Sequence, residues 1–340
     1  MNLIKKTLLI GCFALYLQAG FSQTARELQE TARGFMQQGD FSNASLVLNR
    51  AYALAPTDID ITKDLALNYI LQKDNKKALE VIKPVLDRED ADDHSFQIAG
   101  NVYYKLGEPK ECEKVYRRGI KKFPKSGLLY NELGELLGAQ RNPEAIKQWE
   151  KGIEVDPNFT RTYYNACKYY YANSDKVWSI VYGETFINME PLSVRTPEVK
   201  SIVLESYKKL FINTDYSKEN KEKNKFADAF LQVIKKQNTL ATSGLNPESL
   251  TMIRTRFILD WYNDYAAKFP LKLFEQQRQL LQDGMFEAYN QWIFGIVQNL
   301  NSYQNWTATH AAEYNEFSNF QKGRIYKVPA GQYYRLEKEK

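Results

Sequence analysis

The side chains that usually carry out catalysis are scarce in this chain. Its 340 residues include two histidines, His94 and His310, and neither has a second histidine at the spacing that a bound metal requires. The signatures HExxH, GxSxG, GxxxxGKS/T and GxGxxG, which mark common hydrolases and nucleotide-binding proteins, are absent from the sequence. The sequence therefore predicts no catalytic residue, no metal site and no cofactor, and it favours a protein that is not an enzyme.

A short acidic run is a candidate for calcium binding. Its members are Asp87, Glu89, Asp90, Asp92 and Asp93. An EF-hand loop also needs a glycine at its sharp turn and a glutamate at its end, and this run has neither. We therefore interpret the run as a solvated turn.

Aromatic side chains offer a different chemistry, because flat rings can stack on sugars. Aromatic residues make up 14% of the chain. A band of them lies in the C-terminal half: Trp261, Tyr262, Tyr265, Trp292, Tyr303 and Trp306. Most of these positions fall on helix-periodic apolar stripes, which favours packing in a core over a glycan-binding platform. Exposure of the three tryptophans distinguishes the two interpretations.

The charge of the chain is too weak to suggest a polyanionic partner. The formal net charge is +5, and it falls to +3 without Lys5 and Lys6 near the N-terminus. Proteins that bind nucleic acid usually carry a concentrated basic surface. We therefore expect no nucleic acid among the partners.

Residues 1–22 have the pattern of a secretory signal peptide. Lys5 and Lys6 precede a mostly apolar stretch, Thr7 to Ala19, and the sequence Gly20-Phe21-Ser22 places small residues at alternate positions before Gln23. The pattern predicts an exported protein that is soluble after cleavage. Its expected location is the periplasm, and the outer membrane or the medium are the alternatives.

A lipid anchor is the alternative fate of this N-terminus. The sequence Leu9-Ile10-Gly11-Cys12 resembles a bacterial lipobox, which would attach a lipid to Cys12. The chain stays apolar after Cys12, whereas lipoproteins usually turn polar there. This favours cleavage near Ser22 over a lipid anchor.

A period of 34 residues organises the first half of the chain. Small residues recur in two series, and large apolar residues recur in a third. The first small series is Ala32, Ala66, Gly100, Gly134 and Cys167; the second is Ala44, Ala78, Cys112, Ala145 and Ser179; the large series is Phe35, Tyr69, Tyr103, Leu137 and Tyr170. Each series is one residue shorter at the fourth repeat, so all three share one register.

Two antiparallel helices in each unit explain this pattern. Where two helices cross, a small side chain lets the backbones approach, so each helix carries one small position. The large residue follows the first small one by three positions and fills the groove toward the next helix. One pair of helices cannot bury its own apolar face, so the units must stack into a solenoid.

The repeat resembles that of the tetratricopeptide repeat (TPR) family. Five repeats cover residues 25–58, 59–92, 93–126, 127–159 and 160–193. The first repeat matches the family pattern best, at Ala32, Phe35, Gly39, Phe41, Ala44, Leu48, Ala51 and Pro56. The fifth departs most, because Ser179 and Gly183 replace more typical packing residues and Phe186 stands where a small residue is usual. The resemblance implies an all-α fold with a TPR solenoid at residues 23–193.

No repeat is visible after residue 193, but helix-periodic apolar stripes continue. One of them is Leu250, Ile253, Phe257, Trp261 and Tyr265. We interpret residues 194–325 as a helical domain that packs on the last repeat and caps the solenoid, whose end would otherwise expose apolar surface. Residues 326–340 are expected to form an irregular tail.

In the TPR family, the first helices of the repeats line a concave groove that holds ligands. By resemblance, the best groove candidates here are Arg33, Asn101, Tyr104, Arg161, Tyr164, Lys168 and Tyr171. Their amide, basic and aromatic side chains suit an extended peptide. The predicted function is therefore that of a non-enzymatic scaffold or adaptor of the bacterial cell envelope that binds a protein segment. Binding of a glycan or the cell wall by the C-terminal aromatic residues is the alternative.

We predict that the mature chain begins at Gln23 or within a few residues of it, because the apolar run continues past Cys12. Intact-mass measurement of the exported protein tests this. A diacylglyceryl group on an N-terminal Cys12 would contradict it.

Overall fold

The structure is a computed structural model that describes residues 24–212, 216, 223–242 and 244–335. The predicted signal peptide, with Cys12, and residues 336–340 of the predicted tail lie outside the described residues. Regular secondary structure within the described residues is helical, with no strand. The chain divides into two compact units, Met1–Gly119 (unit 1) and Ile120–Lys340 (unit 2).

Unit 1 contains three helical hairpins. Their helices are α1 (Ala25–Gln37), α2 (Phe41–Leu54), α3 (Ile59–Leu71), α4 (Asn75–Ile82), α5 (Asp93–Lys105) and α6 (Pro109–Lys122). The first helix of each hairpin begins at the first residue of a predicted repeat. The preceding residue caps it, because the side chains of Thr24, Asp58 and Asp92 accept hydrogen bonds from the first-turn backbone N–H groups.

Unit 2 contains two further hairpins and a helical C-terminal region. Its helices are α7 (Gly127–Ala139), α8 (Ala145–Val155), α9 (Thr160–Ala172), α10 (Lys176–Met189), α11 (Thr196–Ile212), α12 (Lys225–Lys235), α13 (Pro247–Asp264), α14 (Lys272–Gln282), α15 (Phe286–Asn290), α16 (Ile296–Gln298), α17 (Leu300–Thr309) and α18 (Ala311–Lys322). A π-helical segment, Gln291–Gly295, connects α15 to α16. The fourth and fifth repeats also begin where they were predicted, at residues 127 and 160, so the all-α TPR fold is confirmed.

In each hairpin, the small residues lie where the two helices approach most closely. Ala32, Ala44, Ala66 and Ala78 have no exposed surface, and Cys167 is also fully buried. Cys112 and Cys167 also occupy these positions, and both side chains are buried.

A left-handed residue turns the chain between the two helices of each repeat. The φ angle is +78° at Gly39 and Gly107, +64° at Lys73, +57° at Arg141 and +62° at Ser174. Glycine adopts this conformation without strain, whereas the other three residues do so against a steric cost. Every repeat therefore contains this turn, although the residue in the left-handed conformation differs between repeats.

The helix that follows the fifth repeat is packed as the first helix of another repeat would be. α11 packs on α10 and also contacts α9, the pattern that earlier first helices follow. A Cβ atom on Gly183 would lie 2.6 Å from Val203 Cγ2, so this glycine lets α11 approach. No repeat was visible in the sequence after residue 193, and α11 stacks on the fifth repeat there as a further first helix would.

Repeats four and five lie in the same compact unit as the C-terminal helices. The division at Gly119 and Ile120 falls in the last turn of α6, within the third repeat. The predicted domain boundary between residues 193 and 194 stays a prediction drawn from the sequence pattern.

The core of the C-terminal region is aromatic. The Phe226 ring lies 5.3 Å from those of Trp178 and Trp261, and Phe274 lies 4.9 Å from Trp261 (centroid distances). Trp261 has no exposed surface. These rings join the fifth repeat, through Trp178 on α10, to α12, α13 and α14.

A buried polar network lies beside the aromatic core. Glu184 on α10 forms an ion pair with Arg254 on α13, and each side chain is 1% exposed. Glu184 Oε1 also accepts hydrogen bonds from Gln277 Nε2 at 2.7 Å and from the Tyr289 hydroxyl at 2.9 Å. Burial holds the pKa of Tyr289 well above its ordinary value, so its hydroxyl remains a donor.

We expect Gly100→Leu and Gly134→Leu each to lower the free energy of unfolding by about 1–3 kcal/mol or more, because overpacked cores are strained. A Cβ atom on Gly100 would lie 2.1 Å from Tyr116 Cε1, and one on Gly134 would lie 2.4 Å from Trp149 Nε1. Urea unfolding of the variants measures the effect.

Gly34 on α1 is the matched control, because a Cβ atom there meets nothing within 4 Å. Gly34→Ala should raise the free energy of unfolding by roughly 0.5–1 kcal/mol through the lower helix propensity of glycine. Unchanged stability of the two leucine variants would mean that the repeat register is wrong.

Lys200 on α11 gives unit 2 a pH-dependent stability. Its side chain is buried, and Nζ donates to the Trp292 carbonyl at 2.7 Å and lies 3.7 Å from the centroid of the Trp292 ring. Burial lowers the pKa of Lys200 to about 7 from the ordinary 10.5. Between those values the unfolded chain binds more protons than the folded chain, so the free energy of unfolding rises with pH.

We predict that the wild-type protein gains stability relative to Lys200→Met as the pH rises from about 7 to about 10, by up to about 1.4 kcal/mol per pH unit. Below pH 7 the full cost of the buried charge remains, and the methionine variant should be the more stable of the two. Urea unfolding at a series of pH values measures the difference. A difference that does not change with pH would show that Lys200 keeps its proton in the folded protein.

Candidate partner-binding groove

The helices α7, α9 and α11 of unit 2 lie side by side, and we call the surface that they form with Trp149 of α8 the α7–α9–α11 groove. Two open depressions lie along it. One, of about 540 Å³, is lined by residues that include Glu135, Arg141, Trp149, Asn165, Lys168 and Tyr169. The other, of about 490 Å³, is lined by residues that include Lys168, Tyr171, Glu198, Ser201, Ile202 and Glu205. The two depressions therefore meet at Lys168.

Hydrogen bonds fix α7 against α9 beneath the groove. Arg161 donates from Nη1 to Glu132 Oε1 at 3.1 Å and from Nη2 to Glu135 Oε1 at 2.9 Å. Asn165 Nδ2 donates to Asn131 Oδ1 at 2.9 Å. Arg161, a predicted binding residue, is therefore largely committed to contacts within the chain.

A second set of contacts fixes α9 against α11. The Tyr164 hydroxyl donates to Glu198 Oε2 at 2.6 Å, and Lys168 Nζ lies 2.8 Å from Glu198 Oε1. Lys168 and Arg195 each lie over the Tyr164 ring, at 4.9 Å and 5.1 Å from its centroid. Tyr164 also packs on Phe186, which is fully buried.

The charged forms of Lys168 and Glu198 stabilise each other. The hydrogen bond from Lys168 lowers the pKa of Glu198, and the Tyr164 hydroxyl lowers it further. The same bond to Glu198 raises the pKa of Lys168. Both groups therefore remain charged at neutral pH, and their side chains are 43% and 46% exposed, so each can still meet a partner.

Tyr171 lies at the outer end of the groove. Its ring is partly exposed, and Lys209 Nζ on α11 lies 4.1 Å from the ring centroid. Tyr171 and Lys168 therefore present an aromatic face and an ammonium group to the same depression.

The first helices of unit 1 carry the remaining candidates. Arg33 Nε donates to Asp64 Oδ2 at 2.7 Å, and Asn101 Oδ1 accepts from the Tyr116 hydroxyl at 3.4 Å. Tyr104 is 52% exposed, so its ring is available for contact with a partner. The role of all seven predicted residues in binding stays a prediction.

The contribution of α11 to the groove was not apparent from the sequence. Glu198, Ser201 and Glu205 line the groove, but no repeat was recognised there. The available signal was spacing, because Glu198 follows Tyr164 by 34 residues and forms a hydrogen bond with it.

The acidic run is used for internal contacts. Asp87 pairs with Arg118 at 2.6 Å, and Asp90 pairs with Arg88 at the same distance. Asp92 pairs with Lys63 and caps α5. In the part of the chain that the structure describes, no group of three histidine, cysteine or acidic side chains is placed to hold a metal ion.

The aromatic band does not form one exposed platform. Trp261 is fully buried, and the Trp292 ring is covered by Lys200. The Trp306 ring stacks on His310 with a centroid distance of 4.5 Å, and Trp306 Nε1 donates to Glu287 at 3.0 Å. Of the three tryptophans Trp261 is fully buried, whereas Trp292 and Trp306 are partly exposed. The burial of Trp261 favours packing in the core for that ring.

Residues 25–193 form helical hairpins with the architecture of tetratricopeptide repeats. This assignment rests on the positions of the helix starts, the buried small residues and the recurring left-handed turn. No protein-family model matches the chain. Human tetratricopeptide repeat protein 21B is 27% identical over 140 residues, which are 40% of this chain and 11% of that protein. The chain therefore corresponds to a small part of that relative's length.

Two solved structures also resemble the chain over part of its length. A thermophilic TPR protein of Thermus thermophilus, TTC0263, is 12% identical, with a TM-score of 0.44, over 54% of this chain and 99% of that one. Pseudomonas aeruginosa pilF is 16% identical, with a TM-score of 0.46, over 58% of this chain and 90% of that one.

Across the described residues, no helix is both long enough and apolar enough to cross a membrane.

Proposed function

We propose that this chain is a non-enzymatic scaffold that holds a segment of a partner protein in the α7–α9–α11 groove. The observation that carries the proposal is the pair of open depressions that meet at Lys168. Together they offer a path long enough for several residues of an extended segment. Charged and aromatic side chains both line it, so it offers a partner ionic contacts and aromatic surface.

The floor of the groove supports binding because it is already organised. The hydrogen bonds of Arg161, Tyr164 and Asn165 hold the helices and their side chains in place before a partner arrives. Little conformational entropy is then lost on binding, which raises affinity for a given contact area. Ionised Glu198 suits this positioning role better than proton transfer at neutral pH.

We further propose that the protein works in the bacterial cell envelope, in the periplasm. The support is the pattern of Lys5, Lys6 and the apolar stretch Thr7 to Ala19, which is typical of an export signal. An anchor at Cys12 is the alternative that the mass measurement tests.

We predict that a photo-crosslinking amino acid at position 171 captures a partner in the producing cells, whereas one at position 147 does not. Lys147 is a matched control, because it lies on α8 outside both depressions and its side chain is 67% exposed. Mass spectrometry of the crosslinked product identifies the partner and the residue attached.

The charge of Lys168 provides a second test with the identified partner. Lys168→Gln should weaken binding by roughly threefold to tenfold, in line with a loss of about 1 kcal/mol for an exposed charge, and the loss should shrink at high salt. Lys151→Gln is its control, since Lys151 forms a similar exposed ion pair with Glu154 at 2.8 Å on α8. Equal capture from positions 171 and 147, or equal effects of the two glutamine variants, would refute the groove as the binding site.

A further inference from the structure

The C-terminal segment, residues 326–335, occupies a cleft of its own. The segment is not helical and turns at Ala330 and Gly331, where φ of the glycine is +87°. The cleft, which we call the segment cleft, lies between α8, the loop before α9, α10, α12 and the start of α14. Its defining residues are Glu150, Asn158, Trp178, Phe226 and Lys272. Tyr163 and Tyr170 of α9 also border the cleft, so the cleft and the α7–α9–α11 groove share this helix, but no residue that lines the cleft lines either depression of the groove.

Two asparagines bind the backbone of the segment. The Asn158 side chain donates to the Val328 carbonyl at 3.2 Å and accepts from the Val328 N–H at 3.0 Å. The Asn224 side chain donates to the carbonyls of Tyr334 and Arg335, at 2.6 Å and 3.1 Å. Backbone groups are the same in nearly every residue, so this part of the cleft would accept many sequences.

At the end of the segment, the cleft contacts the side chains of Tyr334 and Arg335. The Tyr334 ring lies parallel to Phe226 at 5.3 Å, and its hydroxyl donates to the Pro270 carbonyl at 2.6 Å. Arg335 Nε lies 3.3 Å from Glu150 Oε1 and donates to the Tyr170 hydroxyl at 2.8 Å.

The pocket for Arg335 is strongly selective. The side chains of Arg335 and Glu150 are 9% and 6% exposed. A cation stabilises a buried carboxylate, and Tyr334 stacks on Phe226, so the pocket favours an arginine that directly follows an aromatic residue.

The chain's own segment fits the cleft imperfectly. The Tyr326 hydroxyl is buried and has no hydrogen-bond partner among the described residues. A cavity of about 20 Å³ also remains between the segment and a wall that includes Tyr163, Trp178 and Tyr182. A buried polar group without a partner weakens an interaction, so a segment with phenylalanine in place of Tyr326 should bind more tightly.

We propose that the segment cleft is a second peptide-binding site, independent of the groove. Its ligand is a partner protein's segment that carries an aromatic residue followed directly by arginine. Residues 326–335 occupy the cleft until such a segment displaces them. The support is the chemistry of the cleft: two backbone-directed amides, an aromatic stack and a buried carboxylate that a cation stabilises.

The test uses a fluorescent synthetic peptide of residues 326–335 that carries Tyr326→Phe. Its affinity is compared for the full-length wild-type chain and for the full-length variant Val328→Asp/Arg335→Ala, which weakens the resident segment and leaves the cleft walls unchanged. The peptide can bind only those molecules whose cleft is open, so occupancy by the resident segment lowers the apparent affinity of the wild-type chain for the peptide. The variant should therefore bind the peptide at least about tenfold more tightly. A peptide that also lacks the arginine, through Arg335→Ala, should lose most of this binding.

A second measurement needs no destabilised variant. Excess peptide added to the wild-type chain should accelerate hydrogen exchange at the Val328 amide, and it should not do so when Glu150→Gln removes the carboxylate. Equal peptide affinities for the wild-type chain and the folded double variant, together with unchanged exchange, would overturn the proposal. A wild-type dimer that exchanges its C-terminal segments would overturn it too, by making a second copy the natural occupant.

Discussion

The ion pair between Glu184 and Arg254 is the contact on which the arrangement of unit 2 depends. Taking two charges out of water costs several kcal/mol for each ion, and only a close partner with further hydrogen bonds offsets that cost. Glu184 obtains those bonds from Gln277 and Tyr289, which lie on α14 and α15. Four helices must therefore be in place together, because the absence of any of them would leave a buried charge poorly compensated.

The same requirement explains why the fifth repeat is irregular. α10 is buried along nearly its whole length, because it packs on α11, α12 and α14 as well as on α9. Two residues of α10 differ in size from the family pattern. Gly183 is small and makes room for Val203 of α11, and Phe186 is large and packs against Tyr164. The departure from the family pattern is thus an adaptation for holding the C-terminal helices, and it also shapes the floor of the groove.

Local features of the structure were predictable from the sequence, and distant ones were not. The starts of all five first helices follow from the 34-residue spacing, and the groove positions of Lys168 and Tyr171 follow from the same register. The recurring left-handed turn was hidden because Lys73, Arg141 and Ser174 take the place of glycine. Glu184 and Arg254 are 70 residues apart, and a single sequence carries no periodic signal for such a pair.

The bond between Asn158 and Val328 has a consequence for how the protein is made. It joins positions 170 residues apart, whereas contacts within a repeat array are mostly between neighbouring units. Structures dominated by distant contacts fold slowly, because a long loop must close before its contacts become favourable. Unit 1 can assemble while the rest of the chain is still being synthesised, but unit 2 can close only after its last residues have emerged. Until then α10 and its neighbours expose apolar surface that a chaperone would have to protect.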